Sequence, residues 1–336
     1  MRLRNWNDRG LTFPLASSFS FAAARLVSDG IQISRSEDKY SMVTRGLIRQ
    51  APKPCVIARL HGGLGNQLFI YATARALSLR SGVPLKLDVG NFSLDRVFRR
   101  RFLLDRFCIQ AVVLPPIVTY TGQLGRRLRS RWLRFSEARK PFQQRKYLAE
   151  NGPGFDDRLL GLRVRNRVCL DGYWQSYRYF EDHAASIASE LTIKRLPDDD
   201  LNLATRIQST NAVSIHVRQT QITSLMDASY YKTAIQWVQG RVRDPVFYVF
   251  SDDAPKARTL LPEGLTACFI DRDPDKDKSV EELCLLRLCH HHIIANSTYS
   301  WWGAWLGAAH DKLVVAPKPC LHWGHDGLIP PAWITL

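Results

Sequence analysis

A glycine-rich turn between a strand and a helix is the feature that most constrains this chain. Residues 55–60 form a short run of β-forming residues, which breaks at His61-Gly-Gly-Leu-Gly. The chain then resumes as an apolar segment with helical spacing that ends near Gly82, and residues 83–88 form a second strand pattern. This order of strand, glycine loop, helix and strand predicts a βαβ unit and therefore a parallel sheet.

A second α/β series begins at residue 211. The patterns predict a helix over 178–196, strands at 212–217, 246–250, 292–295 and 313–316, and helices at 229–240, 279–292 and 300–309. With 336 residues and a linker pattern at 196–200, we predict two Rossmann-like domains that face a central cleft. They comprise residues 51–200 and 201–336 and follow a poorly ordered extension, residues 1–50. A translation start at Met42 would leave this fold intact.

The charge is concentrated in one region. Lys and Arg number 47 against 31 Asp and Glu, a net charge of +16, and residues 96–146 hold 14 basic residues but two acids. Such a balance suggests an anionic partner, namely nucleic acid, a membrane surface or a phosphorylated substrate. No basic–aromatic recognition module appears, so we predict no nucleic acid partner. The basic insert 96–146, with a helical patch at 126–135, is either a solvated insert or a docking surface for an anionic membrane.

Composition excludes several other classes of protein. Hydrophobic residues make up 45% of the chain, which is typical of a globular protein rather than a disordered or collagen-like one. No stretch of about 20 apolar residues is present, and the first residues match a secretory signal poorly. Seven scattered cysteines without a CxxC pair indicate small buried residues in a reducing compartment. The predicted location is cytoplasmic or peripheral at the inner membrane surface.

The glycine loop is the first candidate ligand site. Glycines between a strand and a helix let backbone N–H groups approach an anion, here around Gly63 and Gly65. Leu68 occupies the third glycine position of a dinucleotide fingerprint, and no Lys-Ser or Lys-Thr pair follows as in a P-loop. Glycines at such a turn are often only structural. Asn66 and Gln67 add amide donors at the loop, which favours a ligand role.

Two strand ends in the second half carry charged candidates. His216 and Arg218 lie two residues apart on one strand and therefore share a face. A partly buried Arg at such a position needs an anionic partner, and its guanidinium suits bidentate binding of phosphate. For His216, a ligand role and a buried structural role are equally plausible. Asp252 and Asp253 follow the next strand, where they either accept hydrogen bonds from a nucleoside or cap a helix.

A further candidate site lies where a strand gives way to a helix at 295–306. Asn296, Ser297, Thr298 and Ser300 supply hydroxyl and amide groups at a helix start, which is an anion-binding arrangement. We predict that the three tryptophans within 301–305 pack in the core rather than stack on sugar. The Cys-His-His-His run at 289–292 is predicted not to bind metal, because consecutive residues of one helix do not face a common point.

Taken together, the motifs resemble glycosyltransferase family 11, the α-1,2-fucosyltransferases. The runs GGLGNQLFIYA, DGYWQSYRYF, HVR, YYKTAI, FSDD and ANSTYSWWGAWLG stand in the family's order over residues 55–95 and 165–336. The resemblance implies a GT-B-like α/β fold, GDP-fucose as the donor and a glycan acceptor, either an oligosaccharide or a lipid-linked glycan. It further implies inversion at the fucose anomeric carbon, a galactoside product with an α-1,2 linkage, and no metal requirement.

The resemblance also implies roles for individual residues. Arg218 binds the diphosphate and is the predicted catalytic residue, with His216 beside it. Ser297, Thr298 and the helix start near Asn296 and Ser300 hold phosphate oxygens. Asp252 or Asp253 faces the nucleoside. Asn66, with Gly63, Gly65 and Gln67 of the glycine loop, reaches the fucose or the β-phosphate.

The chain departs from the family pattern at one motif. Where the family usually reads HxRRGD, residues 216–221 read HVRQTQ, so Gln219 and Gln221 replace an Arg and an Asp. A lost charge-assisted partner typically weakens an interaction by about 1.5–3 kcal/mol. If that Asp assists deprotonation of the acceptor hydroxyl, another base is required, with Asp88 and Asp227 as weak candidates. An altered acceptor or linkage, weak activity and an inactive relative that binds GDP-sugar all remain alternatives.

Overall fold

The structure is a computed structural model that describes residues 53–115, 122–152, 154–218, 226–270, 277–318 and 327–336. The predicted extension 1–50 and the replaced motif positions Gln219 and Gln221 lie outside these residues.

The first half of the chain builds a five-stranded sheet. Its strands are β1 (Cys55–Arg59), β2 (Leu85–Asp88), β3 (Val112–Leu114), β4 (Tyr147–Ala149) and β5 (Arg167–Asp171). They lie in the order β3-β2-β1-β5-β4, and every pair is parallel. Helix α1 (Leu64–Ser81) follows β1, and Gly82 ends it at φ 62°, as the sequence predicted. Helix α2 (Gly122–Ala138) packs against β4.

The second half builds a six-stranded parallel sheet. Its strands are β6 (Ala212–Val217), β7 (Val246–Ser251), β8 (Ala267–Ile270), β9 (His291–Ile293), β10 (Val314–Ala316) and β11 (Ile334–Thr335), in the order β11-β10-β9-β6-β7-β8. The helices are α3 (Ala184–Glu190) and α4 (Asp198–Gln208) before this sheet, then α5 (Ala228–Gln239), α6 (Ala254–Leu260), α7 (Ser279–Leu288) and α8 (Thr298–Leu306). Two parallel sheets with helical crossovers confirm the predicted α/β class of GT-B-like architecture.

The two halves share one hydrophobic core where α1 packs against α8. Phe69 of α1 has its ring centroid 4.6 Å from that of Trp301 and 5.1 Å from that of Trp302. Phe180 stacks on Trp302 at 5.5 Å, and both tryptophans are fully buried, as the sequence predicted. Arg106 and the buried Glu281 form an ion pair that also joins the halves. Aromatic packing at this junction therefore holds the two sheets together.

Several predicted elements differ from the structure. Helix α4 begins at Asp198, so it includes part of the stretch predicted as a linker, since three acids in the first turn favour a helix start. The predicted helix 178–196 is an α-helix only over Ala184–Glu190, and two 3-10 turns, Tyr177–Tyr179 and Glu181–His183, precede it. The predicted helix 279–292 ends at Leu288, and the histidines that follow lie in or next to β9.

The cysteines and the helices bear on two other predictions. The six described cysteines are free; Cys55 and Cys289 are buried, but Cys108 is exposed, so the prediction of buried cysteines is only partly correct. Cys320 lies outside the described residues. In the described parts of the chain, no helix combines the length and the apolar character needed to cross a membrane.

Candidate functional site

An arginine–carboxylate pair stands at the carboxyl edge of the second sheet. Arg218 directly follows β6 and Asp252 directly follows β7, and the register pairs Val217 with Ser251 at the ends of these strands. The Arg218 Nε atom lies 3.2 Å from Asp252 Oδ2, and each side chain is 22% exposed. Neighbouring parallel strands therefore bring together a cation and an anion that are 34 residues apart in sequence.

His216 lies in the sheet beneath this pair as a neutral imidazole. It is buried, its ring centroid is 5.4 Å from that of Tyr299, and its Nδ1 atom makes no hydrogen bond within the described part of the chain. Burial, with the nearby positive charge of Arg218, lowers the pKa of His216 to about 3. His216 therefore adds no charge next to Arg218 near neutral pH.

Asp253 has a different role from Asp252. Its carboxylate accepts a hydrogen bond from Lys256 N at 3.1 Å and caps the start of α6. Of the two aspartates that the sequence left as either ligands or caps, Asp253 is the cap and Asp252 is the partner of Arg218. Asp227, proposed as a weak candidate base, likewise caps α5 through Tyr230 N at 2.9 Å.

The start of α8 lies at the same edge of the sheet. Strand β9 pairs with β6, and the chain continues from β9 into Asn296 and the N-cap residue Ser297, whose hydroxyl accepts from Tyr299 N at 3.3 Å. Ser300 is fully buried, and its Oγ lies 3.1 Å from both Ala295 O and Ser297 O. The hydroxyl of Ser300 thus stabilises the turn from within.

The glycine loop of the first half lies directly against this helix start. A Cβ atom built on Gly65 would stand 2.5 Å from Tyr299 N and 2.6 Å from the carbonyl carbon of Thr298. Asn66 Oδ1 accepts hydrogen bonds from Thr298 Oγ1 and Gln175 Nε2, both at 3.0 Å. Gly65 is therefore required by close backbone approach, and the two predicted sites form one junction.

Gln67 supports the loop from inside. Its side chain is completely buried and its three hydrogen bonds all involve backbone groups. The amide nitrogen donates to Gly62 O at 3.1 Å and to Arg101 O at 2.8 Å, and the amide oxygen accepts from Leu103 N at 3.1 Å. These bonds fix the glycine loop to the segment that follows β2.

Arg100 is a candidate residue at the glycine loop that the sequence did not reveal. Its Nη1 atom is 3.2 Å from the position that a Cβ on Gly63 would occupy, so a second guanidinium stands at the glycine loop. The basic insert 96–146 therefore contacts the glycine loop through Arg100, near the start of the insert. The sequence holds no signal for this contact, because it depends on the path of the chain between β2 and β3.

The carboxyl edge of the first sheet holds a second polar cluster. Arg59, the last residue of β1, lies between Asp88 at 3.4 Å and Asp171 at 3.3 Å, the last residues of β2 and β5. It also donates to Tyr147 Oη at 3.1 Å. Asp88, the other candidate base, is thus an ion-pair partner and accepts Gly90 N as well. His61 lies nearby with its ring centroid 4.5 Å from that of Tyr173, and burial lowers its pKa.

The histidine run is structural, although the reason differs from the one expected. His290 pairs with Asp311 at 2.6 Å, His291 accepts from Leu313 N at 3.0 Å, and His292 bonds to Ser214 at 2.8 Å. Each ring faces a different neighbour because the run crosses from a turn into β9 rather than lying on a helix. Among the described residues no cluster of three or more His, Cys, Asp or Glu could hold a metal ion.

Comparison with known proteins defines the class. The chain is a glycosyltransferase: the model of glycosyl transferase family 11 matches residues 110–321. Because this match spans well over half of the chain, the protein belongs to glycosyltransferase family 11.

Relatives span most of the chain. It is 28% identical over 283 residues to an alpha-1,2-colitosyltransferase of Escherichia coli, covering 79% of this chain and 91% of that protein. It is 29% identical over 307 residues to the O-antigen biosynthesis glycosyltransferase WbnK of Escherichia coli, covering 82% and 99%. Galactoside alpha-(1,2)-fucosyltransferase 2 of Pongo pygmaeus is 23% identical over 271 residues, covering 76% and 69%.

Solved structures match more distantly. A mutant of FUT1 of Arabidopsis thaliana in complex with GDP has a TM-score of 0.47 at 14% identity, covering 78% of this chain and 70% of that one. The fucosyltransferase NodZ of Bradyrhizobium has a TM-score of 0.44 at 12% identity, covering 75% and 92%.

Proposed function

We propose that this protein transfers fucose from GDP-fucose to a hydroxyl group of a glycan, with inversion, without a metal ion, and with a galactoside α-1,2 linkage as the product. Membership of family 11 and the fucosyltransferases among its relatives support this donor. The observation that carries the proposal is the convergence of Arg218, the start of α8 and the glycine loop at one edge of the second sheet.

Arg218 is the proposed catalytic residue. A departing GDP carries growing negative charge on its β-phosphate, and a fixed guanidinium stabilises that charge more in the transition state than in the ground state. Asp252 is the ion-pair partner of this guanidinium, with its Oδ2 atom 3.2 Å from Arg218 Nε. His216 lies in β6 beneath Arg218 and is neutral, so it does not compete with Arg218 for the phosphate.

The helix start of α8 is the proposed second phosphate contact. The first backbone N–H groups of a helix lack partners within the helix and carry partial positive charge. Asn296, Ser297 and Thr298 place this helix start beside the strand end that carries Arg218. We assign Ser300 to support of this turn, since its hydroxyl is buried against backbone carbonyls.

The glycine loop is the proposed contact to the sugar and the β-phosphate. Gly63 offers half-buried backbone at the loop, and Gly65 lets the loop pack against the start of α8. Asn66 links the loop to Thr298, and Arg100 adds a positive charge beside Gly63. Gln67 fixes the loop from below rather than facing the donor. Arg100 thus offers a cation in a chain whose HVRQTQ motif has lost one arginine.

Transfer of colitose is the second candidate, favoured by the 28% identity to the colitosyltransferase. Colitose lacks one hydroxyl group of fucose. A site that hydrogen-bonds a sugar hydroxyl rejects the analogue without it by about 10⁴-fold or more. A parallel assay of GDP-fucose and GDP-colitose with the same acceptor therefore distinguishes the two activities. GDP binding without turnover of either sugar would indicate the inactive relative.

The test of the mechanism compares Arg218→Ala with Arg241→Ala. Arg241 is an exposed arginine that lies over Trp237, away from the strand ends, so it controls for lost charge. We expect Arg218→Ala to lower kcat/KM for GDP-fucose by at least about a hundredfold, as loss of an oxyanion-stabilising group does. Arg241→Ala should keep wild-type kinetics. Equal turnover by both variants would exclude the proposed role of Arg218.

A further inference from the structure

Helix α2 carries an apolar stripe on its outer surface. Leu128, Trp132 and Phe135 are 59%, 66% and 59% exposed. At about 100° per residue, these three positions fall within an arc of about 60° on the helix. We call these three residues the α2 stripe. Large apolar side chains aligned on one exposed helix face are unusual in a protein surface and indicate an interaction site.

The opposite side of α2 is fixed to the protein. Ser130 Oγ accepts a hydrogen bond from Arg59 Nη1 at 2.8 Å. Glu137 is buried, and its carboxylate accepts from Lys146 N at 2.6 Å and from Lys140 Nζ at 2.5 Å. Ser130 and Glu137 lie roughly opposite the α2 stripe on the helical wheel. These bonds hold the helix with its stripe facing outward.

Arginines flank the α2 stripe. Arg129, Arg131 and Arg134 are exposed, and Arg139 lies over the ring of Phe135 at 4.1 Å from its centroid. The acid of this helix, Glu137, is on the anchored side. The outer surface of α2 therefore combines leucine and aromatic side chains with positive charge, and no described acid of the helix lies on it.

This chemistry matches an anionic lipid surface. Helices that lie in a membrane interface present Trp, Phe and Leu between Lys and Arg, so that the apolar side chains enter the headgroup region and the cations meet anionic lipids. A second copy of the chain fits less well, because two stripes brought face to face would also oppose their arginines. We propose that the α2 stripe docks onto bilayers that contain anionic lipid.

Docking through α2 would orient the first sheet. Ser130 holds Arg59 at the end of β1, and Arg59 in turn contacts Asp88 and Asp171 at the ends of the adjacent strands. The carboxyl edge of this sheet therefore lies beneath the docking helix. A glycan presented at a membrane surface would meet this edge first. The docking itself does not depend on which sugar the enzyme transfers.

The test is vesicle co-sedimentation of the full chain. Vesicles of phosphatidylcholine alone are compared with vesicles that also contain phosphatidylglycerol. One variant replaces the apolar side chains, Trp132→Ser with Phe135→Ser, and a second reverses three charges, Arg129→Glu with Arg131→Glu and Arg134→Glu. The matched control reverses three exposed arginines elsewhere and changes the net charge equally: Arg163→Glu with Arg165→Glu and Arg167→Glu. Thermal unfolding confirms that each variant is folded.

We expect the wild type and the control to bind anionic vesicles but not neutral ones. Both α2 variants should bind at least about tenfold more weakly. The charge reversals remove basic residues that each contribute about 1 kcal/mol near an anionic surface, and the serine substitutions remove the aromatic side chains that enter the headgroup region. Equal binding to neutral vesicles, unchanged binding of either α2 variant, or an equal loss in the control would overturn the proposal. The proposal would also be overturned if the wild type did not bind vesicles but formed a dimer in analytical ultracentrifugation, and Trp132→Ser with Phe135→Ser abolished that dimer.

Discussion

Replacement of Gly65 by alanine tests the junction on which the site depends. The added methyl carbon would stand 2.5 Å from Tyr299 N and 2.6 Å from the Thr298 carbonyl carbon. Both are backbone atoms of α8, so no flexible side chain can move away. Ordinary contact begins near 3.4 Å, and a gap of about 0.9 Å must therefore open between α1 and α8.

Two effects follow from that displacement. Overpacking of this kind destabilises by about 1–3 kcal/mol, and we expect the upper part of that range because the clash is with backbone. The shift also separates the glycine loop from the α8 helix start, which the proposed mechanism requires together. A misplacement of about 1 Å can lower a rate by about a hundredfold. Gly65→Ala should therefore lose both stability and activity.

Urea unfolding and transfer kinetics of Gly65→Ala measure these effects. Gly161→Ala is the control, because a Cβ at Gly161 meets its nearest atom at 3.9 Å and its backbone needs no glycine. The control should unfold like the wild type or slightly later. If Gly65→Ala were as stable and as active as Gly161→Ala, the close approach of α1 and α8 would be refuted.

Three further predictions concern charges. Arg100→Ala should lower kcat/KM for the donor about tenfold in steady-state assays, whereas Arg96→Ala, at an exposed neighbouring residue, should not. Equal kcat/KM values for the two variants would show that Arg100 does not contact the donor. The pKa of His216 is about 6.5 in the unfolded chain but about 3 in the folded protein. Below pH 6.5 the unfolded state therefore binds the proton preferentially, and the free energy of unfolding falls as the pH drops from 6.5 towards 3. His216→Gln should flatten that fall by up to about 1.4 kcal/mol per pH unit in urea titrations at pH 7 and 5, and an unchanged slope would contradict the buried, neutral imidazole. Glu281→Ala should reduce the free energy of unfolding by about 2 kcal/mol through loss of the Arg106 pair, and a change below about 0.5 kcal/mol would contradict this.

The sequence predicted the elements with strong local patterns. The βαβ unit around the glycine loop follows from periodicity and the positions of glycine, and the packing of the tryptophans of α8 follows from their apolar bulk. Strands β3, β4, β8 and β11 were not predicted from the sequence, although β2, β9 and β10 are also only three or four residues long and were predicted from their apolar runs. Helix α4 was partly read as a linker, since its acids favour a helix start as well as a polar turn.

The candidate site was only partly predictable. Arg218 and the α8 helix start were predicted because their residue types suit an anion at a strand end, and their role in the site stays a prediction. The distinction between Asp252 and Asp253 needed the structure, since either residue can cap a helix. Arg100 was missed because its contact with the glycine loop depends on tertiary packing that no local pattern records.

The domain boundaries, the inverting mechanism and the metal independence stay predictions. The sheets divide near residue 200, but the aromatic core and the Arg106–Glu281 pair bind both halves into one compact unit, Ala51–Leu336.

A donor screen followed by linkage analysis tests the central claim most directly. The full chain is incubated with a galactoside acceptor and GDP-fucose, GDP-colitose or GDP-mannose, with a chelator present, and the product linkage is determined by NMR. The proposed function predicts turnover of GDP-fucose and a fucose joined to the 2-hydroxyl of galactose. Turnover of another donor in place of GDP-fucose, a different linkage, or complete loss of activity with the chelator would contradict it.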